Sequence, residues 1–402
     1  MLEIHINALL TTAISILVLL VGSFAQKHIS ILSNFFIPSS IIGGLIFSVF
    51  LTMLNYFEIM QINLNTSSQH YFMLIFFSTI GFAASLKFLF IGGRTVIILL
   101  ICMCSLVILQ NILGICLANF LGFSPAFGLA NGSITMIGGH GTGLAFSEIL
   151  ENNFQLDNSA TITAAAATFG LIAGSLSGGP IAHIIMKKYN LKPEKDDIHP
   201  NIERCNENRL IKICQHGVSK SFAMIILAIG FGSLFSTWCK SINIILPDYI
   251  GTIIAAAILR NLSDISNWFS IRHDEIQLLG SISLSIFLAM ALMQIKLLAL
   301  MFLALPMCII LSAQLMLVLF FARFVIFKAL GKNYDSVVIT CGTVGLSMGA
   351  TPNAIANMEA FTSKNYPAPQ AFFVVPIVGS ILIDFFNAGI ITTFLNFLPY
   401  FK

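Results

Sequence analysis

With 402 residues, 57% of them hydrophobic and only 9% charged, the chain lies far below the about 25% charged residues of soluble domains and is read as an integral membrane protein. A net charge of +3, with the basic residues in loops rather than in a stripe, argues against a nucleic-acid partner. Eight cysteines scattered mostly through apolar runs, with no CxxC pair and no metal-like spacing to histidine, read as reduced packing residues rather than a disulfide or zinc framework.

The first apolar run, 6–25, follows MLEIHINALL, which has no Lys or Arg and so lacks the basic start of a cleaved signal peptide; it is expected to be a retained span. Further spans are expected at 36–54, 70–90, 95–121, 159–186, 217–238, 244–262, 276–295, 298–322 and 370–398. The loop at 55–69 reads as a polar connector. Residues 187–215, with mixed charge, prolines and little apolar content, read as a flexible cytoplasmic linker.

Two other apolar stretches, 124–150 and 334–362, are interrupted by Gly, Thr and Asn. Loop charge decides how they sit. If both are re-entrant hairpins and the termini lie outside, all of the 20 basic residues except Lys240, Lys296 and Lys402 fall on the inner side. Complete crossings give a weaker bias. The hairpin topology inserts the second half upside down relative to the first, and Gly132 and Gly139 recur as Gly342 and Gly349 at one common offset. The expected fold is therefore an all-α polytopic membrane protein made of two inverted repeats of five transmembrane helices, each with a re-entrant hairpin. Residues 1–186 carry an outside-entering hairpin and 216–402 an inside-entering one, so their tips should approach each other near the midplane.

In GGHGTG, four glycines within six positions, Gly138, Gly139, Gly141 and Gly143, each cost a helix interior about 1 kcal/mol relative to alanine. Close helix packing would explain one pair, Gly139 and Gly143. The whole set, with His140 and Thr142, suits an unwound tip whose amides meet an anion and whose carbonyls meet a cation. His140 itself could donate to a substrate, carry a proton or be structural. In MGATPNAIANMEA, Pro352 should hold Gly349–Pro352 extended and start a new helix, with Asn353 and Asn357 on one face of it. Their carboxamides, with Thr351, suit a hard cation or the polar groups of an amino acid; an interhelical hydrogen bond is the structural alternative. Asp384 is the one carboxylate well inside a long apolar span, where a charge costs about 2.5 to 3.5 kcal/mol, and it is expected to bind or orient a cation.

Over essentially its full length the chain resembles the bacterial sodium/glutamate symporters. The stretches that carry the likeness are GSITMIGGHGTGLAFSE, ATFGLIAGSLSGGPIA, GSISLSIFLAMALMQIKL, GKNYD, MGATPNAIANMEAFT and FFVVPIVGSILIDFFNA. The resemblance implies a multi-pass inner-membrane carrier, not an enzyme, that imports L-glutamate with sodium as coupling ion and no other cofactor. It also implies a homodimer in membrane lipid and an elevator-like movement. The family's motif positions fall here on Gly138, Gly139, His140, Gly141, Thr142, Gly143, Thr351, Pro352 and Asn353 for substrate, and on Asn357 and Asp384 for the cation. A symporter of another small carboxylate is the nearest alternative. An intramembrane hydrolase would need a Ser with Lys, two aspartates or HExxH, and a channel would conduct without saturation.

Overall fold

The computed structural model describes residues 2–29, 38–58, 60–191, 215–241, 248–266, 272–295 and 300–397. Most of the expected linker, 192–214 with Cys205 and Cys214, and also Lys296 lie outside the described residues, whereas Lys187–Tyr189 at its start still belong to a helix. Within them the chain is helical apart from one two-stranded ladder, and seven helices are long and apolar enough to cross a membrane. This is a multi-pass membrane protein.

The first half runs through α1 (Ala8–His28), α2 (Ser39–Tyr56), α3 (Gln69–Ala83) and α4 (Leu86–Phe120), which is kinked at Gly93, where φ is +62°. A broken stretch follows, α5 (Pro125–Ala130), α6 (Ser133–Met136) and α7 (Gly139–Phe154), and then α8 (Ser159–Tyr189). The second half repeats this order: α9 (Gln215–Ser241), α10 (Asp248–Ser266), α11 (His273–Leu292), α12 (Leu300–Phe321), a broken pair α13 (Tyr334–Met348) and α14 (Thr351–Thr362), and a last span. That span is α15 (Pro369–Ile377), a π-helical turn Val378–Leu382, and α16 (Ile383–Phe397). Pro376, which cannot donate to the ladder, sits immediately before the π turn.

Two expectations change. The connector at 55–69 contains a strand, Met60–Leu64, that pairs in parallel with Leu2–Ile6. The alternation of apolar and polar residues in MQINL and LEIHI fits such a ladder, but neither run is long enough to announce it. The span expected at 70–90 is two pieces. Helix α3 stops at Ala83, and the freed backbone is held by Asn261, whose amide donates to the Ala84 carbonyl at 3.0 Å. Ser85 donates to Asp264 at 2.5 Å, and Arg260 pairs with the same carboxylate at 3.2 Å. A break inside a membrane needs such partners.

The helices sort into two bundles, each drawn from both halves. In one, α1 packs on α2, α9 on α10, and α3 on both α10 and α11. Gly22 and Gly43 let α1 and α2 touch backbone to backbone; a Cβ on Gly22 would stand 2.0 Å from the Ser39 carbonyl oxygen. In the other, α8 lies between the two broken stretches, backed by α4, α12 and the final span. Contacts between the bundles are sparse by comparison, chiefly α3 and α11 against the broken stretches and the π turn.

Candidate substrate and ion site

The first broken stretch departs from the helix twice. At Asn131 and Gly132 the freed amide of Ser133 donates to Asn111 Oδ1 at 2.9 Å, and Asn387 donates to the Ser133 carbonyl at 3.3 Å. The second departure is at Gly138 and Gly139, where Gly139 holds φ +60°, a left-handed value open to glycine at little cost. The expected unwound run Gly138–Gly143 is therefore confined to its first two residues, because α7 already begins at Gly139 and His140, Gly141, Thr142 and Gly143 are helical. The later glycines serve close approach. A Cβ on Gly141 would meet the Phe76 ring at 3.1 Å and Leu284 at 3.3 Å, and one on Gly143 would meet Thr135 and Thr163.

The second stretch breaks only at Gly349 and Ala350, of which Ala350 is extended and Gly349 (φ −162°, ψ −85°) is irregular, and α14 starts at Thr351 with Pro352 in its first turn. The non-helical segment is two residues rather than the four expected, since proline's missing amide is harmless in a first turn. The stretch lies on α8, where a Cβ on Gly170 would stand 2.2 Å from the Met348 carbonyl oxygen. Asn353 donates to the Leu171 carbonyl at 3.0 Å and Asn357 to the Gly174 carbonyl at 2.9 Å. The two carboxamides do share a face, and that face clamps the stretch to α8.

The breaks meet. A Cβ on Gly139 would have the Gly349 carbonyl oxygen 3.1 Å away. Beside this junction opens a cavity of about 380 Å³ lined by Gly138, Gly139, His140, Gly141, Thr351, Pro352, Asn353 and Asp384. Asp384, in the first turn of α16, reaches it beside Gly379 and Ser380 of the π turn. Thr142, Gly143 and Asn357 are not on its wall. Among the described residues no Lys or Arg lines it either.

The opposite wall comes from the other bundle: Phe76 and Thr79 of α3, Gln277, Gly280, Ser281 and Leu284 of α11. Thr79 and Gln277 belong to no motif read from the sequence, and Ser380 lies within FFVVPIVGSILIDFFNA without being singled out there. Gly280 gave a faint signal: a Cβ there would stand 2.4 Å from Thr79 Oγ, so it marks the crossing of α3 and α11.

A family model described as sodium/glutamate symporter matches residues 4–367. The chain is also 36% identical over 391 residues to a sodium/glutamate symporter of Haemophilus influenzae, covering 95% of each sequence. It is 37% identical over 400 residues to one of Escherichia coli, covering 99% of each. The chain belongs to the sodium/glutamate symporter family. The stretch matched by the family model contains both breaks and α8, whereas Asp384 lies beyond it; the alignment to the Escherichia coli symporter family member spans 400 residues and so extends past the model's end.

Proposed function

We propose that the protein is a secondary carrier that imports L-glutamate together with sodium, the two bound in the cavity between the helix breaks. One observation carries this reading: a cavity whose one wall is two broken helices and a carboxylate, and whose other wall belongs to a separate bundle. Such broken helices at an interface of repeats are where secondary transporters hold substrate and ion.

Glutamate brings a net charge of −1 into a cavity without a basic side chain. Three sources of positive field remain, the helix starts at Gly139 and at Thr351 and co-bound sodium beside Asp384. Affinity for the anion then depends on the cation, which is the physical content of coupling. Transfer of one glutamate with one sodium moves no net charge. An inward net positive charge gains about 2.3 kcal/mol per 100 mV, so a carrier driven by the potential takes more than one sodium.

The two halves are read as inverted repeats, with 124–150 and 334–362 as hairpins entering from opposite sides of a bacterial inner membrane and both termini outside. The bundle of α4 to α8 and α12 to α16 is the moving unit and the bundle of α1 to α3 and α9 to α11 the scaffold of an elevator, in a homodimer. Sparse packing between the bundles supports this division. The Asp384 carboxylate and the Thr351 side chain are the proposed cation contacts and Gly138, Gly139, His140, Gly141, Pro352 and Asn353 the proposed substrate wall. Asn357 would act on the cation only indirectly, by seating the second broken stretch on α8 through Gly174.

Uptake of labelled glutamate into proteoliposomes tests this directly. The expected result is accumulation that needs an inward sodium gradient and that other dicarboxylates suppress weakly. Undiminished uptake without sodium sinks the coupling, and stronger suppression by a dicarboxylate reassigns the substrate.

A further inference from the structure

His140 begins α7 directly after the left-handed Gly139, and its Nε2 lies 3.0 Å from the hydroxyl of Thr168 on α8. That hydroxyl is also 2.8 Å from the Ala164 carbonyl of its own helix. A threonine hydroxyl has a single proton, and a carbonyl can only accept. If the proton pointed at His140, two oxygen lone pairs would face each other at 2.8 Å within a packed helix, so it is committed to Ala164. Thr168 therefore accepts from His140, and Nε2 is the nitrogen that carries the imidazole's proton. The neutral ring then has a bare lone pair on Nδ1, and the residue lines the cavity.

We infer that His140 recognises the amino group of the substrate, its Nδ1 accepting an N–H from the ammonium, with Thr168 as the positioning residue that fixes this tautomer. This rests on the amino-acid reading of the cavity. It differs from all three roles the sequence leaves open for His140, substrate donor, proton carrier and structural group, since a neutral Nδ1 lone pair accepts and repels a carboxylate. Behind the same wall Asn353 has its Nδ2 spent on Leu171 and its Oδ1 fully buried without a partner. An ammonium needs an acceptor such as Nδ1, whereas a dicarboxylate without nitrogen leaves it unpaired.

The test uses the full chain with Thr168→Val and Thr168→Ser. In the first arm, ¹⁵N spectra of histidine-labelled protein, with His140 assigned by difference from His140→Asn, read the tautomer without any transport. The expected ring is neutral and protonated on Nε2 in the wild type and in Thr168→Ser, and a mixture in Thr168→Val. A proton on Nδ1, or an imidazolium, in the wild type overturns the inference. In the second arm, glutarate, which is glutamate without its amine, competes with labelled glutamate. Thr168→Val is expected to narrow the wild-type preference for glutamate by about tenfold or more, the size of a hydrogen bond to a charged group, and Thr168→Ser to restore it. Equal weakening of both ligands overturns ammonium recognition. A wild type that transports no glutamate defeats the substrate reading instead and leaves the first arm standing.

Discussion

Gly139 occupies a backbone conformation that a side chain enters at a cost of about 1 to 2 kcal/mol, and it does so where the two broken helices touch. Gly139→Ala adds that strain and presses a methyl to within 3.1 Å of the Gly349 oxygen. Sodium-driven glutamate uptake per molecule inserted is expected to fall sharply, while Gly179→Ala, where nothing lies within 4 Å, leaves it unchanged. Asp384 is the other residue on which the site turns. Asp384→Asn keeps the shape and removes the charge, so half-maximal uptake should require about tenfold more sodium or more, the size of a lost interaction with a charged group. A sodium titration of uptake measures this, and an unchanged midpoint removes Asp384 from the ion site. His140, Thr351 and Asp384 could all be picked out from the sequence because polar residues amid apolar helices are conspicuous there. Gln277 and Thr79 could not, for neither stands out from its polar neighbours Glu275 and Ser78, and only the crossing of α3 and α11 brings them to the cavity.

Helix α8 is the spine of its bundle, holding His140 through Thr168 on one side and the second broken stretch through Leu171 and Gly174 on the other. The amide of Asn357 is spent on Gly174, so Asn357→Ala should lower thermal stability by about 1 kcal/mol while the sodium midpoint stays put. A shifted midpoint at unchanged stability would return Asn357 to the ion site. Breaks were legible as elements: Pro352 announced a helix start and the glycines announced an interruption. Where the first interruption falls was not legible. Gly139, Gly141 and Gly143 are alike in sequence but differ in duty, one bending the chain and the others admitting Phe76, Leu284, Thr135 and Thr163 from distant segments. The π turn at Val378–Leu382 had only Pro376 as its sign, and the β ladder depends on a pairing such as Leu2 with Met60, between segments nearly sixty positions apart.

Across the whole molecule the order of helices could be read from hydropathy, whereas their sorting into two bundles could not, because each bundle joins helices from opposite halves of the chain. The proposed movement of one bundle past the other predicts a clear asymmetry between cross-links. A cysteine pair at Gly141 and Leu284 spans the bundles where they touch, a Cβ on Gly141 standing 3.3 Å from Leu284 Cδ1. A pair at Thr12 and Ser68, whose hydroxyl oxygens lie 3.0 Å apart, stays within one bundle and off the cavity wall. In a cysteine-free background, oxidation of the first pair should stop uptake and reduction restore it, whereas oxidation of the second should leave uptake intact. Equal inhibition by both, or by neither, overturns the movement. The split ownership of the cavity also bears on pharmacology. A small amino acid held by the breaks alone can travel with them, but a bulkier derivative that also grips Phe76 and Leu284 is fastened to both bundles at once. Such a molecule is a blocker rather than a cargo, so the step from substrate to inhibitor in this protein is set by how far a ligand reaches across the seam.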